Sequence, residues 1–73
     1  MPKQTIESEV SGVLVKIERA VGDEVAPGDV VMVLESMKME IPVEAPHGGV
    51  LSELLVDENV SVDEGTALFV VES

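Results

Sequence analysis

The apolar positions of this chain come in short runs, none longer than the five residues of VVMVL (30–34) and ALFVV (67–71), with glycine, proline or acidic residues between them. Runs of that length bounded by turn residues read as strands. The pattern predicts strands near 4–10, 12–18, 24–26, 29–36, 39–45, 49–56, 61–63 and 66–72. Fifteen of the apolar residues are valine, and Phe69 is the one aromatic. Side chains branched at Cβ lose χ1 freedom in a helix and pack well on a pleated surface. The expected class is all-β, and strands this short on turns this close fold as a small sandwich or flattened barrel.

The chain states its pattern twice. Residues 12–36, GVLVKIERAVGDEVAPGDVVMVLES, lie over residues 49–73, GVLSELLVDENVSVDEGTALFVVES, without a gap at an offset of 37. Eight positions coincide: Gly12/Gly49, Val13/Val50, Leu14/Leu51, Val25/Val62, Gly28/Gly65, Val33/Val70, Glu35/Glu72 and Ser36/Ser73. Two copies in so short a chain complete one core together, so residues 1–73 are expected to form a single domain. Turns correspond too, with Gly22-Asp23 answering Glu58-Asn59 and Pro27-Gly28 answering Glu64-Gly65. A pseudo-two-fold axis relating the copies would place Met37-Lys38 at the opposite end of the barrel from the termini.

Near the midpoint stands ESMKM, Glu35 to Met39. The flanking runs VVMVLES and MEIPVEA read as a hairpin whose two-residue loop is Met37-Lys38, pairing Ser36 with Met39, Glu35 with Glu40 and Leu34 with Ile41. Met32, Leu34, Ile41 and Val43 then share the core face, each worth about 1.5–3 kcal/mol gross on burial. The tip itself breaks local rules. Tight two-residue turns want φ above zero, which Asn-Gly supplies cheaply and Met-Lys does not; the strain is about 1–3 kcal/mol per residue. Glu35 against Glu40 is a like-charge cross-strand pair, costing roughly a few tenths of a kcal/mol. Unfavourable choices that coincide at one point mark function.

Chemistry narrows that function. An ordinary exposed lysine, with a pKa of about 10.4, is neutral in roughly one molecule in 2,500 at pH 7, so Lys38 does not activate itself as a nucleophile. A tip of this kind suits recognition and modification by another enzyme, as in covalent attachment of a cofactor. The formal charge of -11 argues against nucleic acid as a partner and fits steering toward basic clefts on larger proteins. With no cysteine there is neither a disulfide framework nor a thiolate metal site, which fits a reducing compartment. No run is long enough to span a membrane and MPKQTIESEV lacks the apolar core of a signal peptide, so the expectation is a soluble, cytoplasmic chain with no membrane partner. His47, in APHGG, reads as a loop residue because no second histidine or cysteine can share a metal. Lys3 and Lys16 are expected to stay unmodified, and no catalytic residue is assigned, since paired carboxylates need a pocket for acid–base work. Pro42 inside a strand predicts an edge position.

ESMKM at the midpoint of a repeat resembles the attachment signature of the biotinyl domains of biotin-dependent carboxylases, relatives of the lipoyl carrier domains of 2-oxoacid dehydrogenases. That signature is Glu-Ala-Met-Lys-Met, with Ser36 here in place of alanine; Ala45, Pro46 and Gly49 match an Ala-Pro and a glycine downstream. The resemblance covers essentially the whole chain. It implies a flattened barrel of two four-stranded antiparallel sheets with quasi-two-fold symmetry, biotin joined by an amide to Lys38, and Met37 and Met39 as the flanking methionines. The implied partners are a biotin protein ligase, a biotin carboxylase that loads CO2, and a carboxyltransferase that passes it to an acyl-CoA or 2-oxoacid; the carrier catalyses nothing itself. Met37 and Met39 are candidates for a deformable apolar grip for the ligase, although Met39 reads equally as partly core. Glu35, Ser36 and Glu40 are candidates for ligase recognition, with a solvated pair as the competing reading of the two glutamates. The chain departs from the family where Val10-Ser11 precede Gly12 and where Glu18 and Arg19 replace apolar residues. Two competitors stand beside the biotin carrier. A lipoyl carrier usually has Asp-Lys-Ala at the tip, and an unmodified barrel used for assembly, as in efflux adaptors, needs no lysine there.

Overall fold

The computed structural model describes residues 2–73. Eight strands run in order: β1 (Lys3–Glu7), β2 (Gly12–Ile17), β3 (Glu24–Val25), β4 (Val30–Ser36), β5 (Met39–Glu44), β6 (Gly49–Leu54), β7 (Ser61–Val62) and β8 (Ala67–Glu72). They form two four-stranded antiparallel sheets, ordered β1-β8-β6-β3 and β5-β4-β2-β7. All eight expected strands are present, each shorter than expected by one or two residues. β1, expected to reach residue 10, ends at Glu7 because Ser8 turns inward. There the Ser8 amide donates to the Thr66 carbonyl at 2.8 Å and the Ser8 carbonyl accepts from Gly65 at 2.8 Å. β6, expected to reach 56, ends at Leu54, and Leu55 stays exposed.

The repeat is written into the backbone. Leu14 donates to Val60 and its mate Leu51 donates to Asp23, each at 2.9 Å; Glu18 donates to Val31 and its mate Leu55 to Leu68, at 2.8 and 2.9 Å. Each of these bonds crosses from one strand or copy to another. The first turn pair, expected as Gly22-Asp23 against Glu58-Asn59, is instead Val21-Gly22 against Glu58-Asn59. A left-handed residue is needed at its second place, and the offset of 37 puts Gly22 (φ 99°) and Asn59 (φ 70°) there.

The bulges repeat as well. Val15 in β2 and its mate Ser52 in β6 are each an extra residue in their ladder, as are Val31 in β4 and its mate Leu68 in β8. A bulge re-aims side chains, so Val31 with Met32, and Leu68 with Phe69, point inward in succession and all four are fully buried. This explains the unbroken apolar runs: alternation is suspended where a bulge sits. The offset of 37 also lays β1 and its flanks, residues 2–8, over β5 and its end, residues 39–45, and six repeat pairs make up nearly the whole core, namely Leu14/Leu51, Val25/Val62, Val31/Leu68, Met32/Phe69, Leu34/Val71 and Ser8/Ala45, joined by Val70. Neither half encloses that core alone.

Candidate functional site

β4 and β5 form the expected hairpin in the expected register, with Ser36 opposite Met39, Glu35 opposite Glu40, Leu34 opposite Ile41, Val33 opposite Pro42 and Met32 opposite Val43, the bulge at Val31 lying beyond them. Met32 and Leu34 are fully buried and Ile41 and Val43 half-buried, so the arms are fixed by the core. β5 is an edge strand, which is where Pro42, lacking an N–H, costs no ladder bond. The loop is Met37-Lys38, and both residues are left-handed, at φ 53° and 65°. Among the described residues Asn59 is the only other non-glycine with positive φ. A tight turn with both central residues left-handed matches the right-handed twist of its strands, and here two side chains occupy positions that glycine or asparagine fill at lower cost.

Every side chain beyond Ser36 on this tip points to solvent. Met37 is 91% exposed and Met39 66%, whereas Met32 is 0%. Of the two readings of Met39, the partly core one is therefore overturned. It lies on the Leu34/Ile41 side, but the core layer ends before it and no facing strand covers it. Lys38, Glu35 and Glu40 are exposed and Ser36 is half-buried. Among the described residues the ion pairs are Lys16 with Glu18 at 3.6 Å and Arg19 with Asp29 at 4.0 Å, so the Lys38 ammonium is held by no carboxylate within that range. Glu35 and Glu40 face one another across the ladder without a cation between them.

The far end of β5 leads to His47 and Gly48, which line one shallow hollow with Pro2, Lys3, Gln4 and Ser73. Six extended residues lie between that end and the tip, on the order of 20 Å, so Lys38 stands at the opposite end of the barrel from both termini. His47 places Nδ1 3.0 Å from the Gly48 carbonyl oxygen, and no three His, Cys, Asp or Glu side chains among the described residues converge as a metal site. A groove between the edge strands β1 and β5 is walled by Ile6, Ile41 and Val43 with Glu7 and Glu44, and does not include the tip. Lys3 and Lys16 are exposed on β1 and β2, on strands rather than at a turn.

One residue at the site escaped the sequence reading. A β-carbon on Gly12 would lie 2.5 Å from the Glu35 carbonyl oxygen, so β2 approaches β4 at the base of the tip as closely as only glycine permits. The signal was its alignment with Gly49, which meets Glu72 in the same way.

An exposed primary amine, borne on a strained turn between exposed thioethers, can be acylated by an enzyme that grips the tip. Comparison with known proteins agrees with that geometry. Residues 4–71 match the biotin/lipoyl family, described as "Biotin-requiring enzyme". The chain is 52% identical over 54 residues to a pyruvate carboxylase from Aspergillus niger, covering 74% of this chain and 4% of that protein. It is 39% identical over 64 residues to the biotin/lipoyl attachment protein of Bacillus subtilis (strain 168), covering 88% of each. The crystal structure of the Kluyveromyces lactis urea carboxylase superposes with a TM-score of 0.93 at 32% identity, over 99% of this chain and 6% of that one.

Proposed function

The chain belongs to the biotin/lipoyl attachment family, whose domains are carriers, and from that premise we propose that it is a biotin carboxyl carrier module with Lys38 as the attachment residue. The observation that carries this reading is the tip: an amine free of ion pairs, on a left-handed turn, between two methionines exposed to 91% and 66%. Attachment needs only what this geometry offers. Once a ligase removes its proton, Nζ attacks the carbonyl carbon of biotinyl-AMP, an amide bond forms, and AMP leaves. Met37 and Met39 give the ligase a polarizable apolar surface on either side of the amine. Glu35, Ser36 and Glu40 complete the surface it reads, the two glutamates facing a basic cleft.

When attached, biotin supplies the group that takes up and releases CO2. The chain's own residues supply the arm and its bearing. The exposed Lys38 side chain, in no ion pair, projects from a hairpin clamped by Met32 and Leu34, an arm that would keep the cofactor within a small volume at high effective concentration. The proposed partners are a biotin protein ligase, a biotin carboxylase and a carboxyltransferase of the acyl-CoA carboxylase type. The chain spans only a small part of the carboxylase relatives it matches, 4% of the Aspergillus niger protein.

A lipoyl carrier is the second reading, favoured by the 39% match to a protein whose name includes both cofactors. Intact mass after incubation with a biotin ligase and, separately, a lipoate ligase separates the two. The proposal expects the gain of one biotin, lost in Lys38→Arg. A gain of lipoyl alone selects the second reading, and no gain from either ligase leaves a barrel used only for assembly.

A further inference from the structure

We infer that Gly12 is a positioning residue for the modification of Lys38, acting through the backbone of Glu35 and Ser36; this rests on the carrier reading above. A β-carbon at residue 12 would lie 2.5 Å from the Glu35 carbonyl oxygen, 3.2 Å from its carbon and 3.3 Å from the Ser36 Cβ. Real Cβ contacts keep at least 3.0 Å, so β4 would have to retreat by about 0.5 Å or more. The nearest atoms belong to backbone and cannot rotate away as the end of a long side chain can.

The location of that clash decides its consequence. Ser36 is the last residue of β4, and the turn leaves directly from it. Met37 and Lys38 are already held in the left-handed region, and Met39 pairs straight back onto Ser36. No loose residue lies between Glu35 and Lys38 to absorb the shift, so displacement of the β4 end is transmitted to the turn backbone that presents the amine and the two methionines. On its other side Glu35 is bound only to β5, an edge strand, which can swing outward without meeting a neighbour.

The repeat supplies a control of matching chemistry. A β-carbon on Gly49 would lie 2.5 Å from the carbonyl oxygen of Glu72, the mate of Glu35, and 3.0 Å from both the Glu72 carbonyl carbon and a Val71 methyl. Gly49→Ala thus inflicts the same backbone clash at the other end of the barrel, away from Lys38, with added strain because Gly49 stands at φ 158°.

The experiment compares wild type, Gly12→Ala and Gly49→Ala, each in concentrated sucrose, which favours the compact state. Folded fraction is read by circular dichroism, and the kcat and KM of a purified biotin protein ligase are measured per folded carrier. The Met37 and Met39 methyl resonances are followed in parallel. Both alanines are expected to lower the urea midpoint. Gly12→Ala alone is expected to lower ligase kcat/KM, on the order of ten-fold and mainly in kcat, and to shift the two methyl resonances, while Gly49→Ala keeps the wild-type rate. A wild-type rate in Gly12→Ala, an equal fall in both variants, or a Gly12→Ala chain that stays unfolded would overturn the inference, the last by making this glycine a requirement of the fold alone. A wild type that accepts no biotin fails the carrier reading instead. The methyl resonances then decide alone: a shift confined to Gly12→Ala upholds the positioning role, and its absence refutes it.

Discussion

The two ends of the barrel are built on one plan and differ in two residues. At one end Ser36 and Met39 are joined through Met37-Lys38. At the other, their repeat mates Ser73 and Pro2 meet through a single hydrogen bond, the Ser73 amide donating to the Pro2 carbonyl at 3.1 Å. The fold asks only for left-handed residues in this turn, which Asn-Gly would supply at lower cost, so a strained Met-Lys retained at such a place serves something other than folding.

The largest effects test whether the frame is shared. Phe69→Ala is expected to cost about 3–5 kcal/mol and its mate Met32→Ala about 2–5 kcal/mol, measured by urea unfolding. If Met32→Ala proved almost neutral while Phe69→Ala unfolded the chain, the core would not be the joint work of two equivalent halves.

Next in size is the turn. Replacing Met37-Lys38 with Asn-Gly should relieve left-handed strain and stabilise the chain by about 1–2 kcal/mol, a rise in Tm of roughly 4–8 °C per kcal/mol, while leaving nothing to modify. A fall in Tm would show that the turn is chosen for stability after all. A second left-handed pair, Gly22 and Asn59, gives a smaller, two-sided effect. Asn59→Gly should raise stability by a few tenths of a kcal/mol to about 1, and Gly22→Ala should lower it by about 1. Calorimetry of the two variants reads both signs. Smallest of all, Glu40→Gln removes the like-charge pair with Glu35 and should gain roughly a few tenths of a kcal/mol in dilute buffer, fading as salt is added.

The hairpin register was legible because a two-residue loop at Met37-Lys38 fixes the pairing, and that pairing buries Leu34 with Ile41 and sets Glu35 against Glu40 in solvent. The bulges were not. VVMVL is apolar throughout, so nothing in the run says that Val31 and Met32 face the same way, and only the ladder shows the extra residue. Strand ends were overestimated for a related reason: the apolar run continues past Leu54 through Leu55 and Val56, where the backbone has already left the strand. The exposure of Met39 depends on where the core layer stops, and the role of Gly12 on how closely β2 approaches Glu35. Both are distances between strands, which periodicity along one strand does not encode.

The central claim is that one amine, set apart from the others by its place on a turn, is the modified group. The most direct measurement is tandem mass spectrometry of the proteolysed chain after exposure to a biotin protein ligase. All biotin is predicted on the peptide carrying Lys38, with Lys3 and Lys16 unmodified. Biotin on Lys3 or Lys16 at comparable occupancy, or a Lys38 peptide that stays bare, would contradict it.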